Sequence, residues 1–281
     1  METQHTVVIS DVVECLKRLP DESVQLIIAD PPYNIDIAEW DNYDNYIEWA
    51  QDWIQECYRV LKKTGNLVIF GGFQFENSGR GDLLELVHYI RNNTKFKLVN
   101  VIIWYYKNGI SARRFYSNRH EEIMWFAKTN KYKFNLDDVR VKYDPETLEL
   151  YKRDKRLNPA NLEKGKNPTN VWEISRLNSN SLERVGHPTQ KPEAIITRIV
   201  RSMSDQGDLV LDIFAGSAIT FKVCVQEGRD SICCDKSAEV LQYAEKQMNR
   251  IKNQEADYAY SNDLNGILKQ LVNKTRKKDK K

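Results

Sequence analysis

Val24-Gln25-Leu26-Ile27-Ile28-Ala29-Asp30-Pro31-Pro32-Tyr33 is an apolar run that stops on a carboxylate, two prolines and a tyrosine. A run of this length without polar alternation suits a strand buried on both faces, which belongs in a parallel sheet covered by helices on each side. Open α/β sheets bind their ligands in the crevice beyond the carboxyl ends of the strands, so position alone makes Asp30 a site candidate. The prolines fix the backbone and remove two amide donors, leaving nearby carbonyl groups as rigid acceptors. An acid, fixed carbonyls and an aromatic face make a receptor for a planar base with an amino group. A stiff turn after a strand is the alternative.

The chain on either side has the same grammar. Residues 6–10 read as a strand, 11–19 as a helix stopping at Pro20, and 67–70, 98–104 and 122–126 as further strands, with a helix over 83–91. Ile47, Ala50, Ile54, Cys57 and Leu61 are spaced by three, four, three and four, which predicts a helix over 46–63 ended by Gly65. Periodicity lapses over 131–186, then returns as a helix over 192–203, a strand over 209–213, a helix over 217–227, a strand over 231–234 and a helix over 238–250. Alternating strands and helices predict an α/β fold, a mostly parallel sheet with helices on both faces, interrupted by one insertion. The expected division is 1–130, an inserted region 131–186, 187–255, and an extension 256–281 whose basic end, 274–281, reads as a solvated tail.

A second constellation lies late in the chain. Leu209-Val210-Leu211-Asp212-Ile213-Phe214-Ala215-Gly216-Ser217 is a buried strand running into a small-residue turn that opens a helix, a layout that lets a cofactor approach the backbone. The next strand ends at Asp235, where a carboxylate can hold the two hydroxyls of a ribose. The layout suits a dinucleotide or S-adenosylmethionine. A Gly-Lys-Ser/Thr phosphate loop is missing, which disfavours ATP, and a plain strand-to-helix turn is the alternative.

The 281 residues allow one sizeable domain with a smaller appended region, and a net charge of +2 identifies no polyanionic partner by itself. Five cysteines, at 15, 57, 224, 233 and 234, lack zinc-ligand spacing and histidine partners, so no metal and no disulfide is expected. No basic segment leads into an apolar run at the start and no stretch is long enough to span a bilayer, which points to a cytoplasmic protein without membrane contact.

In this order, the two constellations resemble the beta-class DNA amino-methyltransferases, in which the Asp-Pro-Pro-Tyr half precedes the target-recognition region and the cofactor half comes last. Residues 104–108, 114–128, 156–172 and 176–192 extend the likeness, which is nearest to the RsrI-like adenine branch. The resemblance implies a Rossmann-like S-adenosylmethionine-dependent methyltransferase fold with circularly permuted motif order. It implies that Asp30, Pro31, Pro32 and Tyr33 hold the target base, with Asp30 also near the cofactor. Phe214, Gly216 and Ser217 would line the cofactor pocket beside Asp212, with Asp235 on the ribose. His187, Thr189 and Lys191, within His187-Pro188-Thr189-Gln190-Lys191-Pro192, would cradle the methionine end, and Asp11 would lie near the cofactor's adenine. Asp11 reads equally as a helix N-cap and Lys191 as a surface lysine. Family members usually continue Gly-Ser-Gly where this chain has Gly216-Ser217-Ala218; the alanine is tolerable if that backbone is already helical, but leaves room for a weakened enzyme.

Direct transfer to an amino nitrogen needs no covalent enzyme intermediate. Carbon-5 cytosine methylation does, through a thiolate following proline, and none of the five cysteines follows one. Cytosine amino-methyltransferases usually carry Ser in place of Asp30, and protein-directed relatives carry Asn, so duplex DNA adenine is the expected substrate. Lys152, Arg153, Lys155 and Arg156 in the insertion, with Arg113 and Arg114, are the expected DNA contacts; a solvated charged face is the alternative. Loop 34–45 is a candidate to close over an extruded base. The RsrI-like stretch suggests GAATTC as target and a companion restriction endonuclease linked by function rather than contact. A homodimer is compatible with the sequence, and a DNA-binding relative without catalysis is the rival of another class.

Overall fold

Alternation along the strands sets the layers. In β2 (Val24–Ala29), Leu26 and Ile28 enter one core while Ile27 and Ala29 enter another on the opposite face. β3 (Leu61–Gly71) repeats this, with Val68 and Phe70 on one side and Leu67 and Ile69 on the other. Against the Ile27 face lie α1 (Val12–Lys17), α2 (Tyr46–Val60) and α3 (Leu83–Asn93); α6 (Glu193–Met203) and α7 (Ile219–Glu227) cover the Leu26 face. Phe221 and Val225 of α7 also pack with Val240 and Ala244 of α8 (Glu239–Met248) in a third cluster around Val7 and Cys233. The computed structural model describes residues 2–35, 41–73, 82–109, 111–253 and 255–278. The middle of loop 34–45, residues 36–40, lies outside the described residues.

The remaining strands are β1 (Thr3–Ile9), β4 (Lys97–Tyr105), β5 (His120–Ala127), β6 (Val171–Glu173), β7 (Leu209–Asp212), β8 (Asp230–Asp235) and β9 (Tyr258–Ser261). They form one sheet in the order β6-β4-β5-β3-β2-β7-β8-β1-β9. Among the described strands β5 alone runs antiparallel to its neighbours, so the mostly parallel sheet read from the sequence is what forms. At its centre β2 pairs with β7 in parallel, with Ile28 opposite Asp212. From β2 the chain adds β3 on one side, and from β7 it adds β8 on the other. This is a topological switch point, and it sets the ends of two sequence-distant strands side by side.

Two expectations are corrected. The helix over 46–63 stops at Val60, and Leu61 is already extended. Gly65 does not end a helix. It lies in β3 where the register against β2 jumps, and a Cβ there would meet the carbonyl oxygen of Lys62 at 2.8 Å, so close approach is what needs glycine. Where periodicity lapses, the insertion holds a 3-10 turn (Leu136–Val139), α4 (Pro145–Lys152) and α5 (Pro159–Lys164), then returns as β6 to pair with β4. The extension adds a strand to the sheet. β9 pairs with β1, and α9 (Asn265–Lys278) continues into the stretch expected to be a solvated tail, anchored by Leu264, Ile267 and Leu271 at spacings of three and four. Residues 279–281 lie outside the described residues.

Candidate active site and cofactor pocket

The switch point opens into a cavity of about 480 Å³, within the size range of small-molecule sites. Both constellations face it. Every residue expected to bind cofactor lines it: Asp11, Asp30, His187, Thr189, Lys191, Asp212, Phe214, Gly216, Ser217 and Asp235. Of the expected base-holding residues, Pro32 also lines it, while Tyr33 touches the oxygen of Asp30.

On the β2 side, Lys191 is buried and its ammonium lies 2.7 Å from Asp30 Oδ2, which removes the surface-lysine reading. Burial alone would lower its pKa, but Asp30 and Glu121 oppose this and hold it above the ordinary lysine value. The Tyr33 hydroxyl is 3.3 Å from Asp30 Oδ1 and 3.2 Å from Glu121 Oε2. Tyr33 was expected to stack on a base; here its hydroxyl is engaged between two acids and its ring lies 5.5 Å from the Lys191 ammonium. Burial and the two carboxylates push its pKa well above the usual phenol value. The Pro32 carbonyl, expected as an open acceptor, already receives the Tyr46 hydroxyl at 2.7 Å, which leaves one lone pair for a ligand.

Glu121 is the residue the sequence reading missed. It sits near the start of β5, is mostly buried, and its pKa is raised by that burial in spite of Lys191 nearby. No local pattern marks it. Only the antiparallel insertion of β5 beside β3 carries it to Tyr33.

On the β7 side the turn is held by the expected aspartate. Gly216 has φ +43°, and its N–H donates to Asp235 Oδ2 at 2.7 Å, while the N–H of Ser237 donates to Oδ1 at 2.8 Å. Each carboxylate oxygen keeps acceptor capacity for a ribose hydroxyl. A Cβ on Gly216 would lie 3.0 Å from the His187 ring, so the turn needs glycine both for its backbone angle and for this approach. His187 is held neutral chiefly by burial, which lowers its pKa. Asp11 plays both parts offered for it, since it caps α1 by accepting from the N–H of Val13 at 2.9 Å and also lines the cavity. Tyr43 and Trp49, stacked 4.2 Å apart, and Phe214 give the wall aromatic surface for a purine. Asp11, Asp30, Asp212 and Asp235 around the cavity suit a cationic sulfonium. The donor set fits S-adenosylmethionine.

Ala218 does not have helical backbone. It takes the left-handed conformation, φ 54° and ψ 28°, and α7 begins at Ile219 rather than at 217. That geometry explains why glycine suits the position. The strain of about 1–2 kcal/mol is offset by a fully buried methyl group worth about 0.8 kcal/mol and by the lower chain entropy of alanine. Ala218 is absent from the cavity wall, so its methyl group does not obstruct a cofactor.

Asp212 is 4% exposed, accepts from the Thr220 hydroxyl and from the N–H of Phe214, and burial raises its pKa to about 7 from 3.8. The folded state therefore holds this proton more tightly than the unfolded one. Its stabilising effect is complete below about pH 4 and is lost as pH rises through about 7. A shift of this size corresponds to roughly 4 kcal/mol as an upper bound. Asp212→Asn is expected to abolish this loss, so that denaturant midpoints at pH 5.5 and pH 8.5 lie closer together than in the wild type. An unchanged gap between the two midpoints removes Asp212 as its source.

The expected DNA contacts are dispersed. Arg113 and Arg114 are exposed on the connection from β4 to β5, which leaves the sheet at the same edge as Asp30 because β4 and β2 point the same way. Phe115 and Tyr116 beside them are 68% and 99% exposed. In the insertion Lys152, Arg153, Lys155 and Arg156 are all exposed; Lys152 is paired with Glu149 and Glu163 at 3.0 and 3.2 Å and Arg156 with Asp154 at 2.6 Å. Two of these four side chains thus have an acidic neighbour on the same exposed surface, a weak tie that leaves them accessible.

A family model described as DNA methylase, the N6/N4 methyltransferase group, matches residues 24–246. The chain belongs to this family of DNA methylases. Relatives of this methylase include the Type II methyltransferase M.HpaI of Haemophilus parainfluenzae, 35% identical over 85% of this chain and 73% of the relative. Another is the DNA adenine methyltransferase YhdJ of Escherichia coli strain K12, 35% identical over 84% of this chain and 80% of the relative. Among solved structures, the PvuII DNA methyltransferase (cytosine-N4-specific) superposes with TM-score 0.67 at 20% identity, covering 94% of the methylase and 97% of that chain. That likeness extends the agreement to the fold. Among the described residues there is no metal-ligand cluster and no helix long and apolar enough to cross a membrane.

Proposed function

We propose that this DNA methylase transfers the methyl group of S-adenosylmethionine directly to the exocyclic amino nitrogen of adenine in duplex DNA. The observation that carries this reading is that Asp30 and the Gly216–Asp235 turn face one cavity, so a bound sulfonium and an amino group held at Asp30 meet. An adenine amino group is a weak nucleophile because its lone pair is delocalised into the ring. A carboxylate accepting one N–H and the Pro32 carbonyl accepting the other favour the out-of-plane geometry from which nitrogen attacks. The base must leave the duplex stack to reach this depth. Adenine is favoured over cytosine by Asp30, where cytosine amino-methyltransferases usually carry serine, and by the likeness to a named adenine methyltransferase.

The same reading assigns 1–130 and 187–255 to the two halves of the catalytic domain, 131–186 to target recognition, and 256–281 to a C-terminal extension. Arg113, Arg114, Lys152, Arg153, Lys155 and Arg156 are the exposed candidates for phosphate or base contacts, and GAATTC is the target suggested by the RsrI-like stretch. The place of action is nucleoid DNA in the cytoplasm, as the modification partner of a restriction endonuclease, and a homodimer is compatible with this role. Incubating the protein with tritiated S-adenosylmethionine and unmethylated genomic DNA should place the label in adenine. Label in cytosine alone selects the cytosine amino reading, and no label despite cofactor binding selects a DNA-binding relative without catalysis.

A further inference from the structure

Behind Asp30, beyond the residues that line the cavity, lies a second acid held through Tyr33 and Lys191. The side chain of Glu121 is 12% exposed, and its Oε2 lies 3.2 Å from the Tyr33 hydroxyl and 4.0 Å from the Lys191 ammonium. The same hydroxyl is 3.3 Å from Asp30 Oδ1, and Lys191 is 2.7 Å from Asp30 Oδ2. One ammonium therefore serves two carboxylates, and one phenolic proton lies between them. A hydroxyl has a single proton to give, so it donates to one acid and accepts from the other once that acid is protonated.

Methylation of an amino nitrogen releases a proton. As nitrogen bonds to the methyl carbon, the carbon–sulfur bond breaks and its electron pair stays on sulfur as a neutral thioether. The nitrogen is left positively charged and acidic, and its N–H pair must return to nitrogen as the proton departs. We propose that Asp30, Tyr33 and Glu121 form a relay for this proton, with Glu121 as its terminal acceptor, an inference that rests on the amino-methylation reading above. Asp30 takes the proton from nitrogen; Tyr33 passes its own proton to Glu121 and receives the one from Asp30. Asp30 ends as a carboxylate, Tyr33 as a hydroxyl and Glu121 as a carboxylic acid, so atoms and charge balance. The raised pKa of Glu121, caused first by burial, suits an acid that receives a proton, and the high pKa of Tyr33 keeps it a hydroxyl rather than a resting phenolate. The Lys191 ammonium, 2.7 Å from Asp30 Oδ2, holds that carboxylate in place beside Tyr33. Glu121 acts through Tyr33 and is a positioning residue rather than a contact to substrate.

Single-turnover transfer of tritium from S-adenosylmethionine to unmethylated genomic DNA, measured from pH 6 to 9, tests the relay. Glu121→Gln keeps an acceptor oxygen for Tyr33 but accepts no proton at these pH values. It should slow transfer about 10-fold, less than the ~10²-fold low end for a general acid–base group in contact with substrate, because Glu121 acts through Tyr33, and it should displace the acid limb of the rate profile. Its dissociation constants for S-adenosylmethionine and DNA, measured separately, should stay within about twofold, since the groups expected to bind them are untouched. Glu121→Asp, which retains an acid, should recover part of the rate. Tyr33→Phe interrupts the same path, and combining it with Glu121→Gln should cost little more than either change alone. Wild-type rate and profile in Glu121→Gln, or a loss lying wholly in the binding constants, overturns the relay. If Glu121→Gln does not fold, Tyr33→Phe decides in the same way, and its unchanged rate overturns the proposal. Failure of the wild-type protein to label an amino base defeats the underlying reading instead.

Discussion

Asp30→Ala is expected to reduce single-turnover methyl transfer by about 10³-fold or more, the scale associated with losing a preorganised group that acts on developing charge. The side chain stands beyond the end of β2, faces the cavity and is tied to Lys191 and Tyr33. Alanine removes the acceptor for the amine N–H and the first destination of its proton. Lys191 is then left with Glu121 at 4.0 Å as its nearer acid, so the cavity gains positive character and its affinity for a sulfonium falls modestly. Asp30→Asn separates these effects, because the amide keeps hydrogen-bonding capacity and loses only the charge. Calorimetric titration should show S-adenosylmethionine binding within about 10-fold of wild type in both variants, one factor of ten being about 1.4 kcal/mol. Rapid-quench transfer at wild-type speed in Asp30→Ala places the reacting nitrogen elsewhere, whereas wild-type speed in Asp30→Asn alone shows that a hydrogen-bond acceptor suffices there and that Asp30 takes up no proton.

The parts of this site that were legible in the sequence share a physical cause. Asp30 and Asp212 each close an apolar run that can be buried only as a central strand, and the strand end dictates where a polar side chain must face. Gly216 and Asp235 stand at the offsets a strand-turn-helix-strand unit requires. Their meeting with Asp30 follows from β2 pairing with β7, which sets Ile28 opposite Asp212. Glu121 was not legible, since its importance arises from an antiparallel strand inserted between β3 and β4 and no local pattern announces that neighbour. Nor was the role of Lys191: a lysine before Pro192 reads as exposed until the packing of Phe70 and Tyr33 encloses it, with its ammonium 5.4 and 5.5 Å from their rings. Ala218 misled for a subtler reason. Helix propensity favours alanine, yet the left-handed angle at this one residue is imposed by the turn that presents Gly216 and buries the alanine methyl group against Phe221. Edge elements such as β6 and β9 are short enough that pairing with a sheet already formed, rather than their own periodicity, makes them strands.

Lys191→Met should be the most damaging change to stability in the site. Methionine fills similar space between Phe70 and Tyr33 but leaves Asp30 and Glu121 facing each other around one phenol without a cation. Removing one partner of a buried pair typically costs about 3–5 kcal/mol, because the remaining charge is neither solvated nor matched. The protein can lessen this by taking up a proton. Lys191 is the influence that opposes the burial-driven rise in the Glu121 pKa, so its loss lets that pKa climb further. A carboxyl with a raised folded pKa stabilises the native state fully only below its unfolded value, and that contribution disappears as pH rises through the folded value. The variant should therefore lose more stability between pH 5.5 and pH 8 than the wild type does, and equal losses in urea unfolding at the two pH values exclude this account. Activity should respond in the opposite sense. With Glu121 more often protonated, the path through Tyr33 accepts a proton only at higher pH, so the acid limb of kcat/KM should move upward while transfer at the plateau recovers. An acid limb left in its wild-type place means that Lys191 anchors cofactor rather than the charge on Asp30.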